Sequence, residues 1–349
     1  MRSFDEAPFL VIWEVTQACD LACVHCRASA QPARHPEELT TAEGFALLEE
    51  IKRFGDPLMV FTGGDPLKRA DIYELLEHSV QCGLRTTITP SATPLLTNEA
   101  IRRIQQIGIA RMAISLDGPD ALSHDGFRRV EGSYAKTIAA LDYASSIGLE
   151  TQVNTTVTRN NVNRLREVAD IVAAYGSRLW SVFFLIATGR ATRSLDLTAG
   201  EYEQVFELLY ELSLTAPFDV KTTEAQHYRR YTAQRRKDAG LGGLGLSGKG
   251  SIARQAGIND GKGLLFISHT GEVCPSGFLP VAAGNFRFER LEAVYRDSAL
   301  FKVLRDTDQL EGKCGVCQYR NLCGGSRSRA YALTGNYLAE DPNCVFQPA

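Results

Sequence analysis

The chain has 349 residues, is 44% hydrophobic and 23% charged, and carries a formal net charge of −3. That composition excludes a disordered or collagen-like polymer and gives no bulk electrostatic basis for binding nucleic acid or an anionic membrane. No apolar run approaches the roughly 18 residues of a spanning helix.

The opening MRSFDEAPFLVIWEVTQACD places acids ahead of its apolar run and lacks the order of a secretory signal. The expected compartment is the cytosol, where thiols stay reduced, so nine cysteines need a use other than disulfides. Runs 9–16, 58–62, 85–89, 111–116, 151–157 and 180–187 read as strands. The last is almost wholly apolar, as in a parallel strand buried on both faces. Helical patterns lie between them: Phe45, Leu48 and Ile51; Ile72, Leu75, Leu76 and Val80; Tyr134, Ile138 and Leu141; Leu165, Val168, Ala169 and Val172. Thr40 with Glu43, and Thr198 with Glu201, have capping-box spacing. Six βα units in succession predict an α/β fold, a parallel sheet curled into a partial (β/α)6 barrel with its chemistry at the C-terminal strand ends.

The periodicity stops near 216. The expected division is a barrel over 1–216, a bridging segment with a mobile glycine-rich loop over 217–262, and a small cysteine-rich domain over 263–349. Within the bridge, AGLGGLGLSGKG (239–250) lacks the G-x4-G-K-[ST] spacing of a phosphate loop. HYRRYTAQRRK suits a solvated helix face better than nucleic acid. Lying across the barrel mouth, Lys221, His227, Tyr228, Arg229 and Arg230 could meet an anionic substrate. GLLFISHTGEVCPSGFL reads as a β-hairpin.

Cys19, Cys23 and Cys26 form C-x3-C-x2-C directly after the first strand. Three thiolates on one short loop can hold three irons of a cuboidal cluster, leaving the fourth iron open. The alternative is a zinc site completed by His25 or a remote residue, for which this spacing is uncommon. The triplet resembles the hallmark of the radical S-adenosylmethionine (SAM) superfamily. That resemblance implies a 4Fe–4S cluster whose open iron chelates SAM. One electron then cleaves the sulfonium to a 5′-deoxyadenosyl radical that takes hydrogen from substrate. It also implies a flavodoxin- or ferredoxin-like electron donor. An aromatic residue usual before the third cysteine is here His25.

Further positions resemble the same family. Gly63-Gly64-Asp65 is similar to its GGE motif, which contacts the SAM amino group, and Ser115 and Asp117 resemble its ribose-contacting segment. Asn154, Thr156 and Arg190 match other SAM-side positions. Each alone could be a turn; their recurrence at successive strand ends carries the resemblance.

Cys314, Cys317, Cys323 and Cys344 lie in a poorly hydrophobic tail that needs a metal staple to fold. A four-cysteine zinc ribbon would look similar. Downstream of a radical SAM core the segment resembles the SPASM extension, and these four match the ligands of its outer auxiliary 4Fe–4S cluster. The inner-cluster cysteines would fall at Ser276 and Arg327, so one auxiliary cluster is expected; it could hold substrate through a freed iron, but with four cysteines electron transfer is the favoured role. Cys274 could be a substrate-side residue, a weak ligand or, the favoured reading, a hairpin residue, and Cys82 is expected to be a packing residue.

SPASM relatives modify peptides or tetrapyrroles. The 18 residues before Cys19 leave no room for a leader-peptide-binding domain, and the basic KTTEAQHYRR stretch suits propionates. The expected reaction is therefore oxidation of a tetrapyrrole carboxylate side chain, such as decarboxylation in haem-type synthesis. Radical modification of a peptide or protein is the alternative within the class. A non-enzymatic iron–sulfur or zinc-binding protein is the alternative outside it, against which the SAM-like strand ends argue.

Overall fold

The computed structural model describes residues 4–241 and 257–348. Strands β1 (Leu10–Glu14), β2 (Leu58–Thr62), β3 (Arg85–Ile88), β4 (Arg111–Ser115), β5 (Thr151–Val157) and β6 (Leu179–Phe184) match the six expected strands to within a few residues. Helices α1 (Thr41–Phe54), α2 (Ile72–Gln81), α3 (Asn98–Ile107), α4 (Ala121–Arg128), α5 (Ser133–Ser146), α6 (Leu165–Ala174) and α7 (Ala199–Thr215) connect and follow them. Both capping boxes form: Thr40 and Thr198 each accept from the amide three residues on, and Glu43 and Glu201 accept the reciprocal amide.

The sheet does not stop where the periodicity does. β7 (Asp219–Thr223) pairs parallel to β6, and β8 (Leu264–Ile267) pairs parallel to β1 at the other edge. A strand from within the expected 217–262 bridge and one from the expected C-terminal domain thus extend the barrel sheet. Such short strands carry no helical period, and β8 reaches its partner across more than 240 residues of sequence, which no local pattern reports. Among the described residues the order is β10-β9-β8-β1-β2-β3-β4-β5-β6-β7, with β9 (Glu272–Cys274) and β10 (Gly284–Asn285) antiparallel. β8 and β9 form the expected hairpin, Phe266 opposite Cys274. With β7 and β8 at no shared edge, the barrel stays open on that side.

Side-chain alternation explains what the barrel encloses. In β5, Thr151, Val153, Thr155 and Val157 are buried against helices, while Gln152, Asn154 and Thr156 face inward. In β1 and β2 the outward Val11, Trp13, Met59 and Phe61 build the core with Leu48, Ile51, Leu75 and Leu76. Trp13 is fully buried against Phe61, and truncating such a side chain costs about 3–5 kcal/mol. The apolar mass therefore sits between sheet and helices, and a cavity remains inside.

Beyond the barrel, α8 (Tyr228–Asp238) follows β7, and α9 (Leu291–Asp297), α10 (Ala299–Arg305), α11 (Gly312–Gly315) and α12 (Arg327–Thr334) lead to the C-terminal loop. Arg329, fully buried, fastens this end to the barrel: it donates to the Glu224 carbonyl at 2.7 Å and pairs with Asp341 at 3.3 Å. The glycine-rich segment expected to be mobile lies, from 242 on, outside the described residues. Among the described residues no helix is long and apolar enough to cross a membrane.

Candidate active site

The loop after β1 carries Cys19, Cys23 and Cys26 and is held from three sides. The Cys19 amide donates to Gln31, the Ala22 and Val24 amides donate to the carbonyls of Arg128 and Phe127 at the end of α4, and the Arg190 amide donates to the Cys26 carbonyl. Amides also point at sulfur: Leu21 N–H to Cys19 at 3.3 Å and Ala30 N–H to Cys26 at 3.4 Å. All three cysteines line one cavity of about 830 Å³. Burial pushes the Cys19 thiol up to about 11.

Glycines let the backbone close around this loop. A Cβ on Gly64 would lie 2.6 Å from the carbonyl oxygens of Ala18 and Gln17, and one on Gly63 would lie 2.5 Å from that of Thr16. Gly189, at φ +61°, would put a Cβ 2.4 Å from the Cys26 carbonyl oxygen.

Six of the eight expected SAM-side residues, Gly63, Gly64, Ser115, Asn154, Thr156 and Arg190, line the cavity. Arg190 has two buried guanidinium nitrogens, Nε and Nη2, without a hydrogen-bond partner. His25 lies flat on Phe127 with its buried Nδ1 also unpartnered, and burial and the charges of Arg128 and Arg190 keep it neutral.

Asp65 and Asp117 differ from the expectation of direct SAM contact. The Asp65 carboxylate is fully buried and turned into the 91–93 turn, accepting from Ser91 N–H, Thr93 Oγ1 at 2.7 Å and Leu67 N–H. The Asp117 carboxylate accepts from Thr156 N–H and pairs with Arg128. Both use their acceptor capacity on protein donors, so both shape the pocket from behind.

Arg128 was invisible to motif reading. Buried and paired with Asp117, it also donates to Cys23 Sγ at 3.5 Å and lines the cavity. Only the fold brings the end of α4 over the cysteine loop. Ser91, which donates to the Gly64 carbonyl and lies 3.8 Å from Cys19 Sγ, was equally unmarked.

The basic stretch after β7 divides in two. Lys221 and Arg229 line the large cavity, whereas His227 and Arg230 line a second, much smaller one, and Tyr228 is buried in the core. The helical advance of about 100° per residue separates neighbours on α8 in this way. Arg230 is also paired with Glu203. Those three residues therefore do not meet a ligand in the barrel.

Cys314, Cys317, Cys323 and Cys344 all line the smaller cavity. Amides again point at sulfur, from Asp341 to Cys314, Tyr319 to Cys317 and Gly325 to Cys323, at 3.3–3.4 Å. Among the described residues no three His, Cys, Asp or Glu side chains converge as a single-ion site would require. At the would-be inner-cluster positions stand polar groups in use. Arg327 donates to the carbonyls of Tyr337 and Ala339, and Ser276 Oγ accepts from Phe278 N–H. Cys274 is buried in the hairpin, and Cys82 packs against the core at the end of α2.

Comparison with known proteins agrees with this geometry. Residues 13–172 match the family model described as Radical SAM superfamily. The AdoMet-dependent heme synthase of Oleidesulfovibrio alaskensis is 40% identical over 97% of this chain and 87% of its own length. That of Methanosarcina barkeri is 35% identical over 100% of this chain and 99% of its own. The crystal structure of Streptococcus suis SuiB, 17% identical, superposes with a TM-score of 0.75 over 98% of this chain and 78% of that one, a likeness of fold. The chain belongs to the radical SAM superfamily. It is accordingly an enzyme that uses a 4Fe–4S cluster and SAM.

Proposed function

We propose that this enzyme acts in the cytosol on a tetrapyrrole bearing carboxylate side chains, in a haem-type synthetic step such as oxidative decarboxylation of propionates. One observation carries the reading: a single cavity of about 830 Å³ is lined both by the three cysteines and by the cations Lys221 and Arg229. That volume suits a large cofactor-sized ligand. Similarity over nearly the whole chain to proteins named AdoMet-dependent heme synthase supports the substrate class.

Cys19, Cys23 and Cys26 would hold the SAM-binding cluster, their amide–sulfur contacts being the outer-shell bonds that metal thiolates use. When bound, cluster and SAM supply the one-electron cleavage that yields the hydrogen-abstracting adenosyl radical. Arg190 offers unpaired N–H groups to an anionic or polar group of SAM, and Ser115, Asn154 and Thr156 offer neutral partners. Arg128 neutralises charge at Cys23, and Asp117 holds it there.

Cys314, Cys317, Cys323 and Cys344 would hold one auxiliary 4Fe–4S cluster. Four sulfurs around a shared cavity, three of them accepting from backbone amides, supply one thiolate for each iron of such a cluster. When bound, that group would supply an acceptor for the one electron released as a propionate gives up a hydrogen atom and carbon dioxide to become a vinyl group. In the cell a flavodoxin- or ferredoxin-like protein would deliver the initiating electron.

The test uses anaerobically reconstituted protein, dithionite, SAM and iron coproporphyrin III. The expected result is 5′-deoxyadenosine together with a porphyrin lighter by carbon dioxide and two hydrogens per side chain. An unchanged porphyrin alongside a modified co-expressed peptide would replace this reading with peptide modification.

A further inference from the structure

We propose that Lys221 and Arg229 form a two-point clamp for a substrate carboxylate, fixing one acidic edge of the ligand on the side of the cavity nearest Cys323. The inference deepens the tetrapyrrole reading and rests on it for the identity of the substrate, though not for the existence of an anion site.

The two residues come together through the turn between β7 and α8. Lys221 lies in the middle of β7, opposite Ser181 of β6, and Arg229 is the second residue of α8. Glu224 between them adopts φ +58°, a left-handed conformation uncommon for a residue with a side chain. That turn reverses the chain so that both cations line the same cavity, near enough for the charge of Arg229 to act on Lys221.

Among the described residues neither cation is in a salt bridge with a carboxylate. The charges of Arg229 and Arg111 both oppose that of Lys221, and burial adds to them, bringing the ammonium down to about 8. Glu224 is the one carboxylate acting in its favour. Burial and the charge of Asp260 push Glu224 itself up to about 8, so it is largely neutral at pH 7. Arg111 is already paired with Glu150. Arg229 donates to the Leu322 carbonyl at 3.4 Å, beside the sulfur of Cys323, and leaves its other N–H groups for the cavity. Two mutually repelling cations lining one desolvated cavity, neither in a salt bridge with a carboxylate among the described residues, are complementary to an incoming anion. A guanidinium and an ammonium together suit a carboxylate, the first by its fork and the second as a point charge.

Placement gives the clamp its consequence. Arg229 lines the large cavity and reaches the Leu322 carbonyl next to Cys323, so a carboxylate held there fixes one edge of the ligand in the cavity that Cys19, Cys23 and Cys26 also line.

Binding to the reconstituted holoenzyme tests the clamp, with iron coproporphyrin III followed by its Soret absorbance and glutarate followed by calorimetry. Lys221→Met and Arg229→Met are each expected to weaken porphyrin binding roughly tenfold to a hundredfold, the range for losing a charge-assisted hydrogen bond. Arg229→Lys should restore part of the loss, and the tetramethyl ester should bind native protein weakly and the variants no worse. Cluster absorbance and the thermal midpoint confirm that each variant is folded. If native protein binds the porphyrin and both Met variants bind it equally well, the clamp is wrong and the substrate reading stands. Glutarate binding lost in the variants, with no porphyrin binding at all, keeps the clamp and removes the tetrapyrrole. Failure of native protein to bind either probe overturns both.

Discussion

Around Cys19 and around Cys317 the backbone uses one device: the amide two residues on donates to sulfur, at 3.3 and 3.4 Å. What the sulfurs face then differs. Cys19, Cys23 and Cys26 border a roomy cavity with unpaired Arg190 nitrogens and a cationic wall. Cys314, Cys317, Cys323 and Cys344 surround a far smaller space, with Arg327 and Asp341 at its border. A metal centre that keeps an open position beside free volume is built to react, while one fully ligated by protein suits structure or electron transfer. Local spacing supplies the donors in both regions, and the surrounding fold decides what they are for.

Substitutions can break this division. Replacing Cys19, Cys23 and Cys26 with Ala should remove about four irons and bring 5′-deoxyadenosine formation to background, measured by iron analysis and chromatography. Replacing Cys314 and Cys323 with Ala should also remove about four irons, yet leave dithionite-driven SAM cleavage in place while product formation is lost. Loss of SAM cleavage in that variant would show that the two regions are not separate in function.

Smaller changes sharpen the contrast. Arg329→Ala breaks the buried pair with Asp341 and the bond to Glu224, and should cost about 3–5 kcal/mol in urea unfolding, loosening the auxiliary end from the barrel. Arg128→Lys keeps a charge for Asp117 but loses the N–H bond to Cys23. The midpoint potential of the SAM-side cluster should fall by on the order of 60 mV in a redox titration followed by electron paramagnetic resonance, with the other cluster unmoved. Carboxylate affinity should decline gradually as pH rises through about 8, since Lys221 loses its charge there and Glu224 gains one. Arg111 also faces Lys221, and the guanidinium of Arg229 preserves residual binding.

How much of this was legible beforehand varies with the range of the interaction. The six strands, both capping boxes and the hairpin follow from patterns a few residues long, and they appear where expected. The motif resemblance puts Gly63 and Gly64 at SAM; the structure shows that they also make room for the carbonyls of Thr16, Gln17 and Ala18. Asp65 was read as an acceptor for SAM, yet the 91–93 turn occupies its oxygens. A carboxylate at a strand end looks the same in sequence whichever way it faces. The same limit applied to the basic stretch, where a helical turn sent Arg229 into the barrel and Arg230 to the other cavity.

By itself, the order of residues determined the strand–helix alternation, the helix caps and the two sets of cysteine donors. Those depend on periodicity and spacing, which are properties of neighbouring residues. Tertiary structure decided the rest. It set β8 beside β1, leaving the barrel open, laid Arg128 over Cys23, and gathered Lys221 and Arg229 around one cavity. Each joins groups distant in the chain or distinguishes two faces of one element. Burial and charge at such places are fixed only when the whole chain has packed.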